Sequence, residues 1–233
     1  LRDCAKSLDK FLADGGRLMV TLAGAMSTAE IGRSLAPMIR SGKIHAITCT
    51  GANLEEDVFN LVAHSQYQRI PNWRNLSEKD EADLHQKGFN RVTDTCIPEE
   101  QAIRHIEDKI ISQWKSGSAF PHEHLMAILD DLQAEIPRTD SWLIAAKEAG
   151  IPVYVPGWED STLGNIFAAH CIKGEVDRSA VKTGIDYMIH LANWYANAEH
   201  PVGLLQIGGG IAGDFPICVV PMIRQDMQQR APL

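Results

Sequence analysis

An apolar strand pattern runs directly into a glycine-rich turn in the segment Val202-Gly203-Leu204-Leu205-Gln206-Ile207-Gly208-Gly209-Gly210-Ile211-Ala212-Gly213. The turn has the spacing G-x-G-x-x-G, and a helix-like segment follows it. Glycine suits such a turn because it adopts positive φ angles at little cost, and because the missing Cβ lets a pyrophosphate approach the backbone. The pattern leaves two interpretations open: a dinucleotide-binding loop, or a tight turn inside an α/β core.

Three more apolar segments, residues 17–22, 44–50 and 152–155, have strand character, and helical patterns separate them. Strands that alternate with helices predict an α/β fold, here a Rossmann-like parallel sheet with helices on both faces. We expect residues 1–233 to form a single domain. Sheets of this kind bind ligands at the carboxyl ends of their strands. The candidate site segments are therefore residues 24–28, 50–57, 157–165 and 208–214.

The remainder of the chain is predicted to be mainly helical. The patterns favour helices at residues 3–13, from the turn at 24–28 to about 41, and at 54–63, 98–114, 122–133, 140–148, 162–171, 180–196 and 215–229. Residues 69–95 are mixed and polar, which predicts a long loop with a short helix near Glu81.

The composition limits the classes of protein to which the chain can belong. The formal net charge of -8 at pH 7 argues against a nucleic-acid-binding surface and is compatible with a cationic ligand. No apolar run approaches the roughly 18 residues that a membrane-spanning helix needs. The five cysteines are scattered and never form C-x-x-C, as expected for reduced thiols in the cytoplasm rather than for disulfides or a zinc site. We therefore expect a cytoplasmic protein without nucleic-acid or membrane partners.

Three consecutive carboxylates, Glu55-Glu56-Asp57, follow the second predicted strand. At a helix start they would complement the helix dipole, with Asn53 and Glu56 forming a capping box. Alternatively, they would form an anionic pocket for an amine. Asp160 presents a similar choice between an N-cap region and a contact to a ribose or an ammonium group.

A histidine-containing segment, Pro121-His122-Glu123-His124, invites comparison with a metal site. It follows a linker signal at residues 115–118, and no second cluster of ligands accompanies it. The pattern favours an exposed helix start, and we predict no metal site.

Five segments, taken together and in this order, resemble the deoxyhypusine synthase family, and most closely its bacterial deoxyhypusine synthase-like branch. They are Thr21-Leu22-Ala23-Gly24-Ala25-Met26-Ser27-Thr28, Thr48-Cys49-Thr50-Gly51-Ala52-Asn53-Leu54-Glu55-Glu56-Asp57, Asn90-Arg91-Val92, Pro156-Gly157-Trp158-Glu159-Asp160-Ser161-Thr162-Leu163-Gly164-Asn165 and Gly208-Gly209-Gly210. The resemblance spans nearly the whole chain. The combination is specific, although each segment alone is not.

The resemblance implies a Rossmann-like homotetramer that uses NAD and binds spermidine or a related polyamine. The family transfers the aminobutyl group of spermidine to an amine acceptor through an imine on an enzyme lysine. The acceptor is a lysine of translation factor 5A in deoxyhypusine synthase, and putrescine in the homospermidine synthases derived from it. A non-catalytic NAD- and polyamine-binding subunit is the alternative from another functional class.

The resemblance also implies roles for individual residues. By position, Glu55 and Glu56 match the acidic pair that binds spermidine, and Glu56 also lies near the cofactor. Asn165 and Asp214 replace an aspartate and a histidine of the family, so both are candidate substrate-binding residues, and Asp214 is a candidate catalytic residue. The expected cofactor-binding residues are Gly24, Ala25, Met26, Ser27, Thr28, Thr50, Gly51, Ala52, Glu56, Asp160, Gly208, Gly209 and Gly210.

The family carries its imine-forming lysine in a Trp-Gly-Lys motif, which we expect beyond Leu233. We therefore interpret residues 1–233 as a truncated chain that lacks its C-terminal segment, rather than as a natural pseudoenzyme. Lys173 and Lys182 fall in a helix-to-helix stretch rather than after a strand, so neither is expected to form the imine.

Overall fold

The computed structural model describes residues 2–229, which form seven strands and a set of surrounding helices. The strands are β1 (Arg17–Leu22), β2 (Ala46–Cys49), β3 (Gln68–Arg69), β4 (Phe89–Val92), β5 (Thr95–Pro98), β6 (Val153–Tyr154) and β7 (Val202–Ile207). The α-helices are α1 (Arg2–Ala13), α2 (Gly32–Arg40), α3 (Gly51–Ala63), α4 (Glu78–Gln86), α5 (His105–Ser116), α6 (Pro121–Ile128), α7 (Trp142–Ala149), α8 (Thr162–Ile172), α9 (Gly184–Ala196), α10 (Ile211–Ile217) and α11 (Val219–Pro221).

Four parallel strands form the main sheet in the order β6-β2-β1-β7. If these four strands alone are numbered 1 to 4 as they occur along the chain, their order in the sheet is 3-2-1-4. This is the beginning of the Rossmann strand order. The order reverses between β1 and β7, where ligands of such sheets bind outside the carboxyl ends of the strands. The predicted α/β fold with a parallel sheet is confirmed.

Three strands of the main sheet, β1, β2 and β6, are buried because helices flank them, whereas the residues of β7 are partly or fully exposed. Every residue of β1 after Arg17 and all of β2 are buried, as is typical of parallel strands with covered faces. Among the flanking helices, α2 packs against α7, and α3 packs against α7 and α8. The register pairs Met19 of β1 with Ala46 of β2 and Leu204 of β7, so the carboxyl ends of all three strands lie at one edge.

A second, antiparallel sheet of three strands has the order β3-β5-β4. The prediction of a long loop at residues 69–95 is therefore wrong in part, although the short helix near Glu81 is confirmed as α4. These strands are two to four residues long. They lack the alternation of apolar and polar side chains that reveals a half-buried strand in a sequence.

Two predicted helices are broken in the structure. The predicted helix at residues 98–114 consists of a π-helical segment, Glu99–Arg104, followed by α5. The predicted helix at residues 215–229 is replaced by α10, α11 and a π-helical segment at Met222–Asp226. Pro216 and Pro221 lie in this region, and proline interrupts a helix because it lacks the backbone N–H. No helix formed by residues 2–229 is both long and apolar enough to cross a membrane.

Candidate functional site

The loops that follow β1 and β7 lie directly beside each other at the point where the strand order reverses. The Ala23 N–H donates a hydrogen bond to the Ile207 carbonyl oxygen at 2.9 Å. A Cβ added to Gly208 would lie 2.8 Å from the Ala23 Cβ, and Gly208 has a φ of 81°. Glycine is therefore required at this position by both packing and backbone conformation.

The loops that follow β2 and β6 complete the same edge of the sheet. A Cβ added to Gly51, at the start of α3, would lie 2.8 Å from the Trp158 carbonyl oxygen. A Cβ added to Gly157 would lie 2.9 Å from the Ile211 Cδ1 at the start of α10. The structure thus brings together all four segments that the sequence identified as candidate site segments.

Three other glycines at this edge face open space. A Cβ added to Gly24, Gly209 or Gly210 would have no heavy atom within 4 Å. Gly24 and Gly210 have φ angles of 64° and 66°, whereas Gly209 is outside the left-handed region. Bare backbone beside open space is what a pyrophosphate needs for close approach, so these residues fit a dinucleotide.

Asn53 fixes the loop after β1 to the start of α3. Its side-chain oxygen accepts a hydrogen bond from the Ser27 N–H at 3.0 Å, and its amide nitrogen donates to the Gly24 carbonyl oxygen at 2.8 Å. The Thr50 hydroxyl donates to the same carbonyl oxygen at 2.7 Å. The predicted capping box of Asn53 and Glu56 is wrong: Thr50 is the N-cap of α3, and its side chain accepts from the Asn53 N–H.

Glu56 faces the same loop from the next turn of α3. The Thr28 hydroxyl donates a hydrogen bond of 2.5 Å to its carboxylate, and only 4% of Glu56 is exposed. Burial raises the pKa of Glu56, and the hydrogen bond from Thr28 opposes that shift. A buried carboxylate with one side-chain partner is a suitable counter-charge for a cation.

Glu55 is also buried, but its two oxygens already have partners. They accept hydrogen bonds from the Thr162 N–H at 2.9 Å and the Leu163 N–H at 2.8 Å, at the start of α8. Burial raises the pKa of Glu55 to about 7, against the opposing effect of these N–H donors. Glu55 thus links α3 to α8, and its direct contact with substrate remains a prediction.

Asp57 has a structural role that the sequence did not reveal. Its carboxylate accepts hydrogen bonds from the Ser141 hydroxyl at 2.5 Å and from the N–H groups of Trp142 and Leu143 at 3.3 and 3.2 Å. Burial raises the pKa of Asp57 to about 6. Its partners lie 84 to 86 positions further along the chain, so no local pattern could have found them.

The remaining polar candidates, Asp160, Asn165 and Asp214, are exposed. Within the described residues 2–229, their side chains make no hydrogen bond or ion pair. Asp160 immediately precedes Ser161, which is the N-cap of α8, and Asn165 lies on α8 itself. Asp214 lies on α10. All three are therefore available to a ligand.

The segment with His122 and His124 is less exposed than the sequence predicted. His124 is buried, with 3% exposed, and its Nε2 contacts the Ala180 carbonyl oxygen at 2.8 Å. The His122 Nδ1 lies 2.8 Å from the Tyr187 hydroxyl. The predicted exposed helix start is wrong, because α9 and the residues before it cover this face of α6. Within the described part of the chain, no group of His, Cys, Asp and Glu side chains has the arrangement of a metal site.

The family model described as deoxyhypusine synthase matches residues 1–230. The chain belongs to the deoxyhypusine synthase family. It is 28% identical to the deoxyhypusine synthase-like protein of Nostoc punctiforme, over 97% of the chain and 58% of that protein. It is 26% identical to the one of Thermosynechococcus vestitus, over 88% of the chain and 53% of that protein. The chain thus spans somewhat more than half the length of these relatives.

The fold is also found in a solved structure. The crystal structure of a candidate deoxyhypusine synthase from Entamoeba histolytica matches with a TM-score of 0.54 and 14% identity, over 84% of this chain and 58% of that chain. At this identity the match supports the fold alone. It agrees with the Rossmann-like sheet order, which places the four loops of the candidate site together.

Proposed function

We propose that this protein is an NAD-dependent transferase that moves the aminobutyl group of spermidine to an amine acceptor. One observation carries the proposal beyond family membership: the bare glycine backbone of the loops after β1 and β7 lies at the same edge of the sheet as the start of α3, which carries the buried Glu56 carboxylate. The glycines offer room for a dinucleotide, and the carboxylate offers a counter-charge for an amine.

The residues of the proposed cofactor site would each contact a different part of NAD. Gly24, Gly209 and Gly210 would leave room for the pyrophosphate, and the exposed Asp160 would accept hydrogen bonds from a ribose. Thr28 would hold Glu56 in place beside the cofactor. When bound, NAD supplies the acceptance and return of a hydride at the carbon next to the amine nitrogen.

A polyamine needs negatively charged or polar partners along its length, because an ammonium group that leaves water is costly unless it is paired. Glu56 would hold one amine of spermidine, and Asn165 and Asp214 would contact the others. Asp214 would accept a proton during transfer. Glu55 would act indirectly, since it anchors the N-terminus of α8, the helix that carries Asn165.

The identity of the acceptor separates two versions of this proposal. A deoxyhypusine synthase-like enzyme would use a protein lysine, and a homospermidine synthase-like enzyme would use putrescine. Asn165 and Asp214 differ from the residues of deoxyhypusine synthases, which weakens the case for a protein lysine as the acceptor. The version with putrescine is therefore supported nearly as well as the version with a protein lysine. The imine-forming lysine would come from beyond Leu233. The proposed enzyme would be a homotetramer in the cytoplasm. The alternative to an enzyme is a non-catalytic subunit that binds NAD and a polyamine.

The decisive experiment assays the full-length protein with NAD and spermidine, adding either putrescine or the acceptor protein, and identifies products by mass spectrometry. Transfer to either acceptor supports the enzyme, and NAD binding without transfer supports the non-catalytic subunit. Calorimetry that detects no NAD binding, with or without spermidine, would contradict both.

Glu56→Gln provides the matching test of amine binding. We expect it to weaken spermidine binding by about 1.5–3 kcal/mol, the scale of a hydrogen bond to a charged group. Glu78→Gln, at an exposed position on α4, is the control for the loss of one negative charge. Equal spermidine affinity in both variants would contradict the role of Glu56.

A further inference from the structure

Glu30 has a backbone conformation that is unusual for its residue type. Its φ is 57°, and it is one of three non-glycine residues with positive φ in residues 2–229. Left-handed conformations are disfavoured for residues with a Cβ, and they persist where the surroundings impose them. Glu30 lies two residues after Thr28, in the turn that connects the loop after β1 to α2.

Both oxygens of the Glu30 carboxylate are held by other side chains. Oε1 lies 2.7 Å from the His64 Nε2, and Oε2 accepts a hydrogen bond of 3.0 Å from Arg33. The hydrogen bonds from His64 and Arg33, in that order, lower the pKa of Glu30, so it is ionised at neutral pH. Arg33 belongs to the adjacent α2, whereas His64 follows the last residue of α3. Of these two bonds of Glu30, the one to His64 ties the turn to the end of α3, and the one to Arg33 ties it to the adjacent α2.

Beyond the hydrogen bonds that Thr50 and Asn53 make to Gly24, three contacts join the later part of this loop to α3 and the residue after it. Asn53 binds Ser27, Glu56 binds Thr28, and His64 binds Glu30, so the loop follows the helix from its first turn to its end. The first attachment is buried and the second is part-buried. The third is partly exposed, with 42% of the His64 side chain and 34% of the Glu30 side chain accessible. The contact with His64 opposes the cost of the left-handed backbone at Glu30, so we expect it to help the turn keep its conformation.

We propose that the hydrogen bond between Glu30 and His64 is a latch that holds the loop of residues 24–28 in the conformation that receives the cofactor. Glu30 and His64 are positioning residues, because they act through the backbone of the loop and do not themselves contact the ligand. This inference rests on the proposed function, in which that loop binds NAD.

The test measures NAD affinity by calorimetry and thermal stability for the full-length protein and its variants. His64→Ala removes the side chain that contacts Glu30 and should weaken NAD binding about five- to twentyfold, with little change in the unfolding temperature. Glu30→Gln should have the same effect. The double variant should be no weaker than either single variant, because both remove one interaction. His64→Lys places a hydrogen-bond donor at the end of α3 and should restore most of the affinity.

Arg33→Gln is the matched control, since it removes the other partner of Glu30 and leaves the link to α3 intact. It should change NAD affinity less than twofold. The latch is overturned if His64→Ala binds NAD as the unaltered protein does, if Arg33→Gln weakens binding equally, or if affinity and stability are lost together without rescue by His64→Lys. If the unaltered protein binds no NAD, the proposed function itself fails. If it binds NAD but a variant gives one of the contradicting results, only the latch fails.

Discussion

Gly209 differs from its neighbours Gly208 and Gly210 because its φ is outside the left-handed region. A Cβ at this position would contact nothing within 4 Å. We therefore expect Gly209→Val to fold normally and to weaken NAD binding about tenfold or more, since a branched side chain would occupy the space needed by the pyrophosphate. Calorimetric titration with NAD measures the affinity, and thermal unfolding verifies the fold.

Gly184 provides the control for this substitution. It begins α9, has no heavy atom within 4 Å of an added Cβ, and is also outside the left-handed region. Gly184→Val should leave NAD affinity unchanged. Similar affinities for the two variants would show that the turn after β7 does not approach the cofactor.

Among the helices, α8 depends on a carboxylate from another element. Glu55 accepts hydrogen bonds from two N–H groups at the start of α8, and a glutamine would offer only one acceptor oxygen. We expect Glu55→Gln to lower the free energy of unfolding by about 1–3 kcal/mol, the cost of leaving a buried donor unpaired. Urea unfolding measures this change. Glu56→Gln is the control and should destabilise the protein less, because Glu56 caps no helix N-terminus; equal losses would contradict the assignment.

The contact between α6 and α9 is predicted to depend on pH. Burial lowers the pKa of His122 from 6.5 to about 3. As the pH falls, His122 binds a proton near pH 6.5 in the unfolded chain but only near pH 3 in the folded protein. The contribution of His122 to stability is therefore complete above about pH 6.5 and is lost as the pH falls toward 3. The stability of the unaltered protein relative to His122→Gln should therefore decrease over this range.

Urea unfolding of both proteins at several pH values between 7 and 4 measures this difference. His122→Gln preserves a polar group opposite the Tyr187 hydroxyl but cannot take up a proton. A constant difference in unfolding free energy across these pH values would show that His122 does not carry the effect.

At the scale of the whole molecule, no lysine lies in the four loops of the candidate site. Lys182 lies 4.5 Å above the Phe120 ring, beside a cavity that includes Pro152 and Val153 at the amino end of β6. Lys173 is the C-cap of α8. We therefore expect borohydride treatment of residues 1–233 with NAD and spermidine to leave both lysines unmodified. Peptide mass spectrometry that locates a spermidine-derived adduct on either lysine would contradict this prediction.

The elements of the main sheet were largely predictable from their local patterns. β1 and β7 have the predicted bounds, and β2 and β6 lie inside longer predicted segments. A buried parallel strand is a continuous apolar run, and such runs are visible in a sequence. The small sheet was missed because the two-residue β3 and the polar β4 depend on pairing with β5, which is a tertiary interaction.

The sequence by itself determined the α/β class, the family and the segments that meet at the candidate site, because apolar runs, glycine spacing and motif order are local properties of the chain. Only the tertiary structure decided what the adjacent carboxylates do. Asp57 bonds to the start of α7, Glu55 to the start of α8, and Glu56 to Thr28. Three neighbours on one helix point in different directions, so each meets a different partner, and those partners are chosen by packing between elements that are distant in the chain.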